Sequence, residues 1–413
     1  MKRLALLLLV VASTQAVAGY EDGMDAYKAH RFDEALKEFT ALSERGYPQA
    51  DFMLGLMYTN AEGVARDPSK AMHYLLKAAD AGRAEAMSII GSMYESDKSD
   101  LYDQAKALEW YRKGAEKNDS DAMRFLSHHY LAGTGVAQDN ARALEWMKQA
   151  ADRDSTLAKY ELAVMYELGK GVARDEAKAR LLYRAIKAPY GEKFYRLGGM
   201  YETGRGGAQD LALAFEQYEK AAKAGSAAGM KSLGAMYAAG RGVAQDYKLA
   251  MLWFERAADF GNPEAMYRGG LMLANGLGGP KNEAEAQNWF ADAAEHGHAG
   301  ALRRLARKHD AKADYGNALA YYCRSAAAED RALAAFDSEG IAGGSAPAKA
   351  YAARYAIVLR CAAQGSSAAT LRTWLEGRLE PGAKDEATAL ASRMMQAGNV
   401  SQVLAGYVEL DAE

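Results

Sequence analysis

The sequence predicts an all-α protein, an α/α solenoid of stacked helical hairpins, and three in-phase columns of residues predict it. Met-Tyr pairs recur at Met57-Tyr58, Met93-Tyr94, Met165-Tyr166, Met200-Tyr201 and Met236-Tyr237, with His129-Tyr130 and Met272-Leu273 holding the same register. An alanine column keeps the same step of 35–36 residues through Ala71, Ala107, Ala143, Ala179, Ala214, Ala250 and Ala286. An aspartate column precedes it at Asp67, Asp103, Asp139, Asp175, Asp210 and Asp246. Self-similarity at a fixed period of this length is the mark of a chain built from stacked two-helix units.

The first eighteen residues are expected to be a leader rather than part of the fold. Lys2 and Arg3 precede an apolar run from Leu4 to Ala12, and Ala16-Val17-Ala18 supplies the small residues of a cleavage site, placed after Ala18. The run is too short for a stable membrane anchor. Residues 19–46 read as a short opening hairpin with Ala35, Phe39 and Gly46 in register.

Each following unit reads as two helices. In the first, Ala50, Leu54, Met57 and Tyr58 fall on one helical face. A small-residue column, Gly55, Gly91, Ser127, Ala163, Gly198, Gly234 and Gly270, runs inside these helices. Glycine there costs about 1 kcal/mol against alanine, so its recurrence predicts a close helix approach. The first helix ends in a glycine loop such as Gly133-Thr134-Gly135-Val136, and the recurrent aspartate is placed to N-cap the second. Three residues after the core alanine stand Tyr74, Trp110, Trp146, Leu182, Gln217, Trp253 and Trp289, expected to be core spacers. The second helix closes at Gly46, Gly82, Gly225, Gly261 or Gly297.

Two units depart from the pattern. The one over 83–118 replaces the glycine loop with Ser96-Asp97-Lys98-Ser99, and the one ending near Ala188 loses a residue and carries Pro189 where a helix should begin. After Gly297 the repeat decays, with a degenerate unit and a Gly/Ser-rich break over 298–347 and irregular helices over 348–413, expected to be a C-terminal cap.

The run from Ala228 to Tyr237, followed by Gly240-Arg241-Gly242-Val243-Ala244-Gln245-Asp246 and by Lys248 to Phe254, closely resembles Sel-1-like repeats. These are relatives of the tetratricopeptide repeat (TPR) with a longer loop between the helices. The resemblance covers 47–297 as seven repeats and makes 19–46 a TPR-like opening hairpin. It implies a right-handed superhelix whose inner helix faces form a groove for a partner.

On the first helix, the position two after the core alanine stands about 200° round from it and is expected to point away from the core. Down the array this column holds Phe52, Ser88, Arg124, Tyr160, Tyr195, Lys231 and Tyr267; the next holds Arg196 and Arg268 among others. Phe52, Arg124, Tyr160, Tyr195, Lys231, Tyr267, Arg196 and Arg268 are the candidate groove residues, since Tyr and Arg are the types that supply binding hot spots.

No catalytic or metal constellation stands out, and no enzyme activity, cofactor or metal is expected. Gly204-Arg205-Gly206-Gly207 is an inter-helix turn without the Lys-Ser ending of a phosphate loop. His128 and His129 are neighbours on a helix, about 100° apart, and are poorly placed to share a metal. The formal net charge of −3, which becomes more negative once Lys2 and Arg3 leave, excludes nucleic acid as an expected partner. Nor is membrane insertion expected after leader cleavage. A protein or peptide partner is expected first and a polysaccharide second. With two cysteines, Cys323 and Cys361, one disulfide is available in an oxidising compartment, with a pair of free buried thiols as its rival.

Exported bacterial members of the resembled family include parts of exopolysaccharide-export machines, inhibitors of sensor kinases and host-interacting factors. The expected role is therefore a periplasmic scaffold or adaptor in envelope assembly, exopolysaccharide export or signalling regulation. The alternative is a secreted host-interaction (virulence) factor. A β-lactam-handling enzyme ranks behind both, because the members proposed for it carry a disulfide in nearly every repeat.

Overall fold

The computed structural model describes residues 19–96, 101–310, 312, 317, 320–328, 361, 382, 385 and 388–393. The leader at 1–18, most of the expected C-terminal cap at 348–413 and the Gly/Ser-rich break lie outside the described residues, as do Asp97, Lys98 and Ser99. The chain divides into two compact units, residues 1–174 and 175–413. Both are all-α, and every described element is a helix.

The first unit contains α1 (residues 19–28), α2 (Phe32–Glu44), α3 (Pro48–Asn60), α4 (Pro68–Asp80), α5 (Ala84–Glu95), α6 (Gln104–Glu116), α7 (Ser120–Ala132), α8 (Asn140–Asp152) and α9 (Thr156–Leu168). The second contains α10 (Glu176–Ala185), α11 (Gly191–Thr203), α12 (Leu211–Lys223), α13 (Ala227–Ala239), α14 (Tyr247–Asp259), α15 (Pro263–Asn275), α16 (Glu283–Glu295) and α17 (Ala299–Asp310). Inside each unit a helix packs on the one that follows it, most closely within a hairpin: α3 on α4, α5 on α6, α7 on α8, then α11 on α12, α13 on α14 and α15 on α16. This is solenoid architecture, in which contacts stay between neighbours.

Local chemistry sets the helix ends. The Oδ1 atoms of Asp67, Asp103, Asp139, Asp175, Asp210 and Asp246 accept the backbone N–H three residues on, at 2.9–3.0 Å. Asn282 does the same for Glu285 in the unit where the aspartate column stops. Gly46, Gly82, Gly225, Gly261 and Gly297 take positive φ after the second helices, whereas Asn118 and Asp154 accept that conformation after α6 and α8, which lack the glycine.

The core is the alanine column with the residue four positions later. Ala71, Ala107, Ala143, Ala179, Ala214, Ala250 and Ala286 are fully buried, and so, or nearly so, are Leu75, Tyr111, Met147, Tyr183, Tyr218, Phe254 and Phe290. This corrects the expected spacer column by one residue. Tyr74, Trp110, Trp146, Leu182, Trp253 and Trp289 are half-buried; Gln217 alone of that set is buried. In a helix, i+4 lies about 40° from i and i+3 about 60° to the other side, and the adjoining helices cover the first direction.

The small-residue column does lie under a close approach. A Cβ on Gly55 would stand 2.6 Å from Leu75 Cγ, on Gly91 2.5 Å from Tyr111 Cε1, and on Gly270 2.7 Å from Phe290 Cε1. Ser127 uses its hydroxyl at this place, donating to the Ala143 carbonyl at 2.7 Å.

The shortened unit is closed by a cation. α10 has 10 residues where its counterparts have 13, and its chain turns extended at Ile186. Lys193, standing where other first helices carry Ala50, Ala122 or Ala265, is buried and donates to the freed Ile186 carbonyl. Burial pushes its ammonium below the usual lysine range. Near the end of the described chain Cys323 and Cys361 form a disulfide, with Cα atoms 5.4 Å apart.

Candidate functional site

The candidate groove residues all sit on first helices of the hairpins: Phe52, Arg124 and Tyr160 on α3, α7 and α9 of the first unit, the remainder on α11, α13 and α15 of the second. Their exposure corrects the expectation that this column points away from the core. Tyr160 is buried, as are Ser88 and Ser232 in the same two columns. Phe52, Arg124, Tyr195, Lys231, Tyr267 and Arg196 are half-buried, and only Arg268 of the eight is exposed. A first helix has other first helices alongside, as α7 touches α5 and α9, and α13 touches α11. A side chain 200° from the core alanine therefore meets a neighbouring repeat before it meets water.

In the first unit Phe52 joins two hydrophobic clusters, one around Leu54 and one around Ile90, and the Arg83 guanidinium lies 4.9 Å from its ring centre. Arg124 spans to the next repeat: Nη1 donates to Glu161 Oε1 at 3.1 Å while the guanidinium lies over the Phe125 ring. His128 Nε2 meets the other Glu161 oxygen at 2.8 Å. His129, its neighbour, is buried and turns elsewhere, with Nδ1 2.9 Å from the Thr134 carbonyl oxygen and Nε2 3.3 Å from Glu95 Oε1. Tyr111 donates to Glu95 Oε2 at 2.6 Å, and burial, then this bond, pushes its phenol well above the usual range.

In the second unit Tyr218 repeats that arrangement, donating to Glu202 Oε2 at 2.6 Å, and Glu202 also pairs with Arg241 at 2.6 Å. Tyr195 packs on Tyr218 with ring centres 6.1 Å apart, and burial raises its pKa first, Glu192 second. Arg196 Nε is 3.7 Å from Glu192. One repeat further on, Tyr267 stacks on His298 at 4.4 Å. Glu264 accepts from Arg268 Nε at 2.5 Å and lies 2.8 Å from His298 Nε2; the histidine bond foremost holds its carboxyl down to about 2. His298 Nδ1 accepts the Ala301 N–H and so caps α17.

Arg124, Arg196 and Arg268 were candidate groove residues, but Glu202 and Glu264 were not legible as site residues. Their signal is a pair of opposite charges about one repeat apart, as in Arg124–Glu161, Glu202–Arg241 and Glu264–His298, and it emerges only once both helices are known to face each other. No group of three or more His, Cys, Asp or Glu side chains among the described residues could hold a metal ion. No helix among the described residues is long and apolar enough to cross a membrane. Chemically, the first helices of the second unit carry two half-buried tyrosine rings, two paired arginines and one amine.

The family model described as Sel1 repeat matches residues 48–82, 84–119, 120–155, 156–185, 195–226, 227–262, 263–298 and 299–330. The last match falls where the repeat was expected to decay. Among solved structures, a protective antigen of uropathogenic Escherichia coli strains displaying an SLR fold is 23% identical, with 99% of this chain and 98% of that chain covered and a TM-score of 0.60. A Sel1 repeat protein from Oxalobacter formigenes is 27% identical over 74% of this chain and 90% of that one, with a TM-score of 0.55. Comparison with curated proteins finds no match.

Proposed function

The chain belongs to the Sel1 repeat family, and on that premise we propose that it is an extracytoplasmic scaffold that holds a peptide or protein partner on the inner faces of its first helices. Sel1 and TPR-like repeats mediate protein–protein interaction, and scaffolds of this family are typically non-catalytic. The observation that carries the reading is the composition of the inner surface. Tyr195 and Tyr267 present large side chains that lose little entropy on contact, and Arg196, Arg268 and Lys231 add hydrogen-bond donors and charge.

The leader pattern at residues 1–18 and the Cys323–Cys361 disulfide support a periplasmic location, with the partner drawn from envelope assembly, exopolysaccharide export or signalling. A photo-cross-linking residue at Arg268 on the inner face is expected to trap a partner in cells, and one at Leu252, exposed on α14, is not. Adducts from Leu252 alone would move the partner to the outer face, and none from either would overturn the scaffold reading. Fractionation of the same cells separates periplasm from culture medium, and protein found in the medium would favour the secreted host-interaction alternative.

A further inference from the structure

We infer that Lys231 is the anchor of a carboxylate-binding subsite on the second unit, taking an Asp or Glu side chain, or the C-terminal carboxylate, of an acidic peptide laid across α11, α13 and α15. The inference rests on the scaffold reading and names the chemistry of the partner.

The argument begins with the pairing of charges around Lys231. Arg196 has Glu192, Arg205 has Glu176, Arg241 has Glu202, and Arg268 has Glu264. Lys231, half-buried in the middle of this set, makes no hydrogen bond or ion pair with a described residue. The carboxylates in electrostatic reach, Glu264 and Glu202, are held by His298 and Arg268 and by Arg241 and Tyr218. A partly buried ammonium without an oxygen partner is costly. Burial lowers its proton affinity, an effect that the charge of Glu264 offsets in part and that of Arg268 reinforces. An incoming anion relieves that cost, so a structure that keeps this amine half-buried and unpaired is set to accept one.

The surroundings select a peptide carboxylate. Tyr195, Lys231 and Tyr267 hold one register position on three consecutive first helices, so the amine stands between two tyrosine-bearing repeats. Tyr195 packs on Tyr218, and Tyr267 on His298 and Phe290, so the flanking rings are held in place on either side of the amine. A single unpaired amine supplies one charged hydrogen-bond partner, which suits a carboxylate; a phosphate dianion would find one such cation where it needs several.

The test is selection of a random dodecapeptide phage library on the full chain and on its Lys231→Glu variant, with Lys231→Gln as a second variant and circular dichroism to check folding. Wild-type protein is expected to enrich sequences rich in Asp and Glu. Lys231→Glu is expected to lose that enrichment and shift it toward Lys and Arg. Titrated by fluorescence anisotropy, an enriched peptide should bind Lys231→Gln about tenfold more weakly, the loss of one charged hydrogen bond. It should bind Lys223→Gln, which changes a lysine already paired with Glu219, unchanged. Acidic peptides retained equally by the Lys231 variants, or peptides without charge bias, would overturn this inference and leave the scaffold standing. Failure of every form, wild type included, to enrich any peptide would overturn both. Should Lys231→Glu not fold, Lys231→Gln carries the comparison.

Discussion

The ring of Tyr218 lies across Gly198: a Cβ on that glycine would stand 2.7 Å from both Cδ1 and Cε1. The next residue, Gly199, has only the Tyr218 hydroxyl at 3.6 Å and an Arg205 nitrogen at 3.7 Å, which are ordinary contacts. Two adjacent glycines of α11 therefore answer differently to the same change. Gly198→Ala gains about 1 kcal/mol of helix propensity but overpacks the core at a cost of about 1–3 kcal/mol. Its net effect should be destabilising, whereas Gly199→Ala should stabilise by about 0.5–1 kcal/mol. Thermal or urea melts of the two variants check the pair, and equal signs would refute the close-approach account of the small-residue column.

The aspartate caps should behave as independent increments. Asp139→Ala and Asp246→Ala each remove an acceptor from the first turn of a second helix, Asp246 serving two N–H groups at 2.9 Å. Each is expected to cost about 1 kcal/mol. Because the caps lie in separate repeats, the double variant should cost the sum within about 0.5 kcal/mol by denaturant unfolding.

A buried acid ties the opening hairpins together. Asp51 Oδ1 accepts from the Ser43 hydroxyl at 2.5 Å and from Lys77 Nζ at 2.7 Å, with the Asp51 side chain 4% exposed. Lys77→Met leaves that carboxylate without its countercharge and should destabilise the protein by about 3 kcal/mol. Asp51→Asn in the same background should recover part of the loss, which a double-mutant cycle measures.

Glu264 gives a pH signature. Its folded pKa of about 2 lies below the model-compound value of 4.5, so its contribution is complete above that value and disappears as pH falls through about 2. With the side chain 38% exposed, solvent screening limits the effect to about 1 kcal/mol. Glu264→Gln should therefore lower the melting temperature at pH 7 and flatten the acid limb of the stability profile between pH 4.5 and 2. A variant curve parallel to wild type over that window would disprove the linkage.

The disulfide should show in both mapping and stability. Cys323 and Cys361 are 38 residues apart, and closing a loop of that length removes about 4 kcal/mol of unfolded-state entropy. Non-reducing peptide mapping of the mature protein is expected to yield the cross-linked peptide, and reduction should lower the midpoint of unfolding. Two thiols open to alkylation in the native protein would contradict the bond.

The repeat itself was written in the chain. Asp67 to Asp246 at one step, the fully buried alanines and the glycines under Leu75, Tyr111 and Phe290 could all be read in advance, because each obeys a local rule: a cap needs an oxygen, a crossing needs a missing side chain. The core aromatic column was misread by one residue, since the period alone does not say to which side of the alanine the neighbouring helix leans. Tyr160 was read as outward and is buried; Lys193 and Glu264 carry no signal as single residues. The role of Glu264 depends on a helix about one repeat away in sequence lying beside its own, and that of Lys193 on the Ile186 carbonyl that the shortened α10 leaves free. Sequence by itself thus determined the all-α repeat, its helix ends and its family, which rest on interactions within a turn or a hairpin. Only tertiary structure decided which side chains of the first helices are consumed between repeats, as Arg124 is by Glu161, and which, like Lys231, are left with a charge to share.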